Sequence, residues 1–126
     1  MREILFRGKR KDNGEWVKGS LWDEIPGELV GIAQYGSCVF RHVDLETVGQ
    51  FTGLTDKNGQ KIFDGDIIEW FAQGESEHPD FGYIKYDEQS FAWCVCWHKY
   101  DPDFMEGMQQ EYISVVGNIH DNPELL

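Results

Sequence analysis

The chain has little that staples, spans a membrane or grips nucleic acid. Its three cysteines, Cys38, Cys94 and Cys96, are an odd number without the spacing of a disulfide framework, so the fold must come from burial rather than cross-links, and reduced thiols in a cytoplasm are the simplest expectation. Long apolar runs are missing. Charge or glycine interrupts every stretch well short of the roughly 20 residues a helix needs to cross a bilayer, and the N-terminus lacks the basic-then-apolar pattern of a signal peptide. Positive charge is scarce as well: 11 Lys and Arg stand against 23 Asp and Glu, a formal net charge of -12. Such a surface repels phosphate backbones and anionic lipid, so neither direct nucleic-acid contact nor membrane contact is expected. No apolar period of 3.6 residues is sustained over the length of a helix, and no fixed-period repeat appears.

What the chain does have is aromatic and glycine-rich. Five Trp, five Tyr and eight Phe lie among 14 glycines, a composition of strands joined by tight turns. A length of 126 residues suits one domain able to bury roughly two-thirds of the surface its unfolded chain exposes. The one basic concentration, Arg2, Arg7, Lys9, Arg10 and Lys11, opens an otherwise acidic chain. That asymmetry suits either a charged terminal strand that stays soluble or head-to-tail self-association.

The pattern along the chain reads as short strands. Ile4 and Phe6 alternate with polar neighbours, and Asp12-Asn13-Gly14 supplies a tight hairpin turn before a return strand that starts at Glu15 and breaks at Gly19. Ile25-Pro26-Gly27 turns the chain into a strand over 29–34, and another follows over 38–43. Residues 44–48 predict a single helical turn capped by Asp44. Strands then follow over 50–54, 60–63 and 66–71, linked by the Asp56-Lys57-Asn58-Gly59 turn and a sharp Asp64-Gly65 turn. Residues 73–80 read as a polar loop, 82–86 and 90–97 as a hairpin, 100–107 as an acidic loop and 111–116 as the last strand. In the tail, Ile119, Leu125 and Leu126 are expected to fold back onto the body. Trp16, Phe51, Ile62, Ile67 and Val116 are the expected core.

Chemical motifs are few. Cys94, Cys96 and His98 alternate on a strand and would offer two thiolates and an imidazole to zinc on one face. The spacing differs from the usual Cys-x2-4-Cys knuckle, and a fourth ligand would have to come from Cys38, His42, His78 or His120. Packing as small apolar residues accounts for these cysteines more simply. Asp64/Asp66 and Asp101/Asp103 are carboxylate pairs of the kind an acid-rich chain produces by abundance, and turn formation accounts for them. Residues 56–59 lack the ligand spacing and distal glutamate of a calcium loop. There is no nucleophile elbow, phosphate-cradling loop or dinucleotide fingerprint. The expectation is therefore a non-catalytic protein, with no catalytic residue, cofactor or metal assigned.

The run Ile62-Phe63-Asp64-Gly65-Asp66-Ile67-Ile68-Glu69-Trp70, followed by Gly82-Tyr83-Ile84-Lys85-Tyr86, looks like part of an SH3-like barrel. As a whole the chain resembles the YopX family of phage and prophage proteins. The residues that carry the resemblance are Arg2-Glu3-Ile4-Leu5-Phe6-Arg7-Gly8-Lys9, Asn13-Gly14-Glu15-Trp16-Val17 with Gly19, and Val48-Gly49-Gln50-Phe51-Thr52-Gly53-Leu54-Thr55-Asp56-Lys57-Asn58-Gly59. Gly65-Asp66-Ile67-Ile68 and the closing Val116-Gly117-Asn118-Ile119-His120-Asp121-Asn122-Pro123-Glu124-Leu125-Leu126 complete it. The resemblance implies an all-β fold with little helix, in which an N-terminal β meander over 1–47 precedes a small SH3-like barrel and tail over 48–126, within a single domain. It also implies a cytoplasmic life in a bacterial host. It carries over no catalytic or cofactor residue, and Cys94, Cys96 and His98 fall outside the family pattern. The favoured expectation is an accessory module that binds a protein partner or self-associates as a homo-oligomer. The alternatives are an acidic polyanion mimic that blocks a host nucleic-acid-binding protein and a metal-assisted hydrolase built on Cys94, Cys96 and His98.

Overall fold

The computed structural model describes residues 3–25, 29–34, 39–71, 80–97 and 101–126. Eleven strands run in the order β1 (Phe6–Lys9), β2 (Trp16–Ile25), β3 (Leu29–Gln34), β4 (Phe40–Val43), β5 (Gly49–Thr55), β6 (Lys61–Phe63), β7 (Asp66–Trp70), β8 (Asp80–Asp87), β9 (Ala92–Trp97), β10 (Asp103–Phe104) and β11 (Ile113–Asn118). Helix is confined, among the described residues, to 3-10 turns of three residues. One of them, Leu45–Thr47, is the expected turn, with the Asp44 carboxylate accepting from the Glu46 amide. The protein is all-β, as its composition implied. It divides into two compact units, Met1–Gly53 and Leu54–Leu126.

The first unit is an antiparallel meander in which β1 pairs with β2, β2 with β3 and β3 with β4, while Phe6 and Arg7 of β1 also pair with the start of β5. Its core is Val17, Val30, Ile32 and Val43, with Phe6, Leu21 and Val48 packed against them. Two expectations need correction. Ile4 precedes β1 and is 63% exposed. Gly19 does not break its strand: β2 runs through it for ten residues, because the missing Cβ lets the Ala33 carbonyl of β3 approach closely. The Asp12-Asn13-Gly14 turn is wider than a two-residue hairpin. The Arg10 amide donates to the Glu15 carbonyl across residues 11–14, and only Gly14 has positive φ. The expected turn at Ile25-Pro26-Gly27 lies, apart from Ile25, outside the described residues.

In the second unit β7 pairs with β8 and β11, β8 with β9, and β9 with β10. Its core is Ile62, Ile68, Ile84, Val95, Met105 and Ile113. The barrel expected here is not closed, because this five-stranded sheet has two edges, β10 and β11. Residues 103–104, part of the expected acidic loop, form β10 on the edge of β9. Val116, expected in the core, is at the surface, because the ladder steps from Val115 opposite Ile68 to Gly117 opposite Ile67 and leaves Val116 as the extra residue of a bulge. Phe51, Ile62 and Ile67 are buried as expected, and Trp16 is half-buried. In the tail, Leu125 and Leu126 stay exposed while Ile119 is half-buried, its amide donating to the Gly65 carbonyl.

Two buried carboxylates set the turns of this unit. The Asp56 carboxylate accepts from the amides of Asn58 and Gln60, each at 2.9 Å, and from Val115 at 3.0 Å, which ties the turn before β6 to β11. Asp66 accepts from the Phe63 amide at 2.7 Å across the Asp64-Gly65 reversal.

Candidate functional site

The alternating side chains of the second sheet build the candidate site. Residues opposite one another in a ladder share a face. The register places Ile113, Trp70 and Asp80 in one row, Val115, Ile68, Gly82 and Trp97 in the next, and Ile84, Val95 and Asp103 in a third. The middle of this face is the core, with Ile68, Ile84, Val95 and Ile113 buried. At its end, Trp70 and Trp97 pack on the core by one side only and remain part-exposed.

Gly82 makes that arrangement possible. A Cβ there would lie 2.7 Å from Val95 Cγ1 and 3.0 Å from Trp97 Cε3, so the indole rests where a side chain would otherwise stand. The Trp97 Nε1–H donates to Asp103 Oδ2 at 2.9 Å, which fixes the tilt of the ring. The Trp70 ring meets Tyr112 edge-to-face at 5.7 Å. Between these walls lies an open cleft of about 740 Å³, lined by Trp70, Trp97, Phe104, Gly107 and Met108 together with Asp80, Asp103 and Glu106. Phe104 is 56% exposed at its rim. The arrangement sets large flat apolar area beside three carboxylates. Sequence reading reached Asp103 only as half of a carboxylate pair, and Asp80, Trp70, Trp97 and Phe104 not at all as a group. The signal was present in the alternation of residues 80, 82 and 84 against 93, 95 and 97, but only the register shows which end of the face stays open.

The residues singled out for zinc fall elsewhere. Cys94 and Cys96 do share a face of β9, opposite Lys85 and Tyr83. Cys94 is buried, its thiol donating to the Ala92 carbonyl at 3.8 Å. Burial first, then the charges of Asp87 and Cys96, pushes the Cys94 thiol above its ordinary value. Across the strand, Cys96 likewise raises the Tyr83 phenol. Cys38, His78 and His98 lie outside the described residues. His42 is on β4, 3.0 Å from Glu24, and His120 is in the tail turn beside Gly65. Among the described residues no three His, Cys, Asp or Glu side chains are grouped so as to hold a metal ion. The other carboxylate pair, Asp64/Asp66, serves a turn through Asp66.

The first unit presents a smaller aromatic surface. Trp22, 61% exposed, meets Phe40 edge-to-face at 6.4 Å, and Phe40 meets His42 at 5.2 Å. No helix among the described residues is long and apolar enough to cross a membrane.

Comparison with known proteins agrees with the fold. The family model described as "YopX protein" matches residues 5–126. A solved structure described as protein EF1440 from Enterococcus faecalis is similar over 100% of this chain and 99% of its own, with 24% identity and a TM-score of 0.57, a likeness of fold. A search of curated proteins found no match.

Proposed function

The chain belongs to the YopX family, and from that premise we propose that it is a non-catalytic protein-binding module, encoded by a phage or prophage and working in the cytoplasm of a bacterial host, with the cleft between Trp70 and Trp97 as its binding surface. The observation that carries this reading is the cleft itself. Two part-exposed indoles and the projecting Phe104 surround a space of about 740 Å³. Half-buried aromatic side chains held by a rigid sheet are the usual anchors of protein interfaces, because they bring large contact area at small cost in side-chain entropy. A polyanion mimic would need carboxylates displayed without such an apolar floor, and here the aromatic surface and the acids occur together.

The test is capture from a bacterial host lysate, comparing the parent protein with Phe104→Ser and reading both by mass spectrometry. A partner enriched on the parent and lost on the variant is expected. Phe104 is exposed at an edge strand, so the substitution should leave the thermal melt within a degree or two of the parent. Captured proteins that do not depend on Phe104 would remove the cleft from the reading.

A further inference from the structure

The cleft carries charge as well as rings. Among the described residues its lining holds three carboxylates, Asp80, Asp103 and Glu106, and no lysine or arginine. Asp103 is engaged by the Trp97 indole, whereas Asp80 and Glu106 have no cationic partner among the described residues. Carboxylates beside low-dielectric aromatic walls concentrate negative potential. A neutral apolar ligand seated there would strip water from those charges and return nothing for it. An acidic partner would be repelled by them and by the net charge of -12. A cation gains from both the rings and the acids.

We infer that this cleft receives an arginine side chain from a basic segment of the partner protein, an inference that rests on the protein-binding reading above. Guanidinium suits the lining better than ammonium. It is planar and weakly hydrated, so it lies flat on an indole while its N–H groups fork onto a neighbouring carboxylate. The same protein sets cations on rings internally: the Arg7 guanidinium lies 4.8 Å and the Lys9 ammonium 5.6 Å from the centre of the Trp16 ring. Two of the chain's own arginines are already engaged within it. Arg7 is buried against Trp16, and Arg10 is paired with Asp12 at 2.6 Å. A second copy, with its net charge of -12, is also repelled by this acidic cleft, so the occupant is a different and basic protein.

The experiment uses the full chain, ¹⁵N-labelled, with its tryptophan indole N–H signals as reporters. The probe is a capped Gly-Arg-Gly-Arg-Gly peptide, compared with the same peptide carrying citrulline, which keeps the shape and loses the charge. Saturating shifts of the Trp70 and Trp97 indoles are expected with the arginine peptide, with affinity at least about tenfold weaker for citrulline. The exposed-rim double variant Asp80→Asn/Glu106→Gln should bind about tenfold more weakly, and raising salt from about 50 to 500 mM should weaken the parent complex. Absence of a saturating shift at about 10 mM peptide, equal binding of citrulline, or shifts confined to Trp16, Trp22 and Trp93 would overturn the inference. So would a concentration-dependent dimer of this chain that the peptide dissolves, since that would make a second copy the occupant. Equal citrulline binding together with Phe104-dependent capture would leave the binding module standing without its cationic partner. Capture independent of Phe104 would remove the module reading whatever the peptide does.

Discussion

Single residues carry two backbone conformations with measurable costs. Phe91 has φ 55°, the one positive value outside glycine among the described residues, and is 80% exposed at the end of the β8–β9 turn. A left-handed conformation costs a side-chain-bearing residue roughly 1–2 kcal/mol, and so exposed a ring returns little by burial. Phe91→Gly should therefore raise the melting temperature, by up to about 1 kcal/mol of stability once the looser unfolded chain is counted. A lower melting temperature in a thermal scan would show that Phe91 packs more than its exposure implies. Gly65 is the opposite case. Its φ is 86°, and a Cβ would meet Ile119 and His120 only at ordinary contact distances of 3.5 to 3.6 Å, so the objection to a side chain comes from the backbone alone. Gly65→Ala should destabilise by about 1 kcal/mol or more. Gly107, where a Cβ meets nothing within 4 Å and φ is not left-handed, supplies the control, since Gly107→Ala should be neutral or slightly stabilising. Equal melts for the two alanine variants would remove the constrained turn. This turn was legible in the sequence because Asp-Gly between two apolar runs leaves few other ways to reverse the chain.

At the scale of elements, strand positions followed from alternation and turn residues, and the departures have physical causes. β3 spans Leu29–Gln34 as its apolar pattern predicts, whereas β2 passes through Gly19 because glycine serves there for close approach, a use that local pattern cannot separate from a break. β10 was hidden because two residues have no period to read. Gly82 opens the strand expected over 82–86, yet it lies inside β8 with Trp97 resting over it. That use yields a test. Gly82→Ala should push the Trp97 ring from its place and break its bond to Asp103, moving the Trp97 indole N–H resonance and weakening any ligand of the cleft more than tenfold. An unmoved Trp97 resonance would contradict the packing described. The β8–β9 turn should also respond to acid. The Asp87 carboxylate accepts from Ser90 Oγ and from the Gln89 amide, and these bonds, the Ser90 bond foremost, hold it below the ordinary carboxylate value. A carboxylate depressed in the folded state stabilises it above the unfolded value and loses that contribution as pH falls through the folded value. The amide shifts of Gln89 and Ser90 should hence be constant through neutral pH and change only below the ordinary carboxylate range of about 4. A midpoint above that range would show that the turn does not favour the charged form.

At the scale of the whole molecule, the sequence conveyed the all-β class and the family, but not that the second sheet would stay open, nor which of its aromatic residues would face solvent together. Closure depends on whether edge strands find partners, and the cleft depends on a register that joins residues 70, 80, 97 and 103 from four strands; both are long-range properties that no window of sequence contains. The same long-range pairing separates two cores, Val17, Val30, Ile32 and Val43 in the first unit and Ile62, Ile68, Ile84, Val95, Met105 and Ile113 in the second. Every residue of each cluster comes from its own unit, so a cavity in one removes apolar contacts there and nowhere else. Ile84 is fully buried, and Ile84→Ala should cost about 2–5 kcal/mol through lost transfer energy and the void left behind. In native-state hydrogen exchange that loss should appear in the protected amides of β7, β8, β9 and β11, with those of the β2–β3 and β3–β4 ladders holding the parent's opening free energy. Val30→Ala should give the reverse pattern, with a smaller loss for the smaller side chain. Were both variants to lower protection by the same amount in both units, the chain would open only as a whole, and the two cores would act as a single cooperative structure.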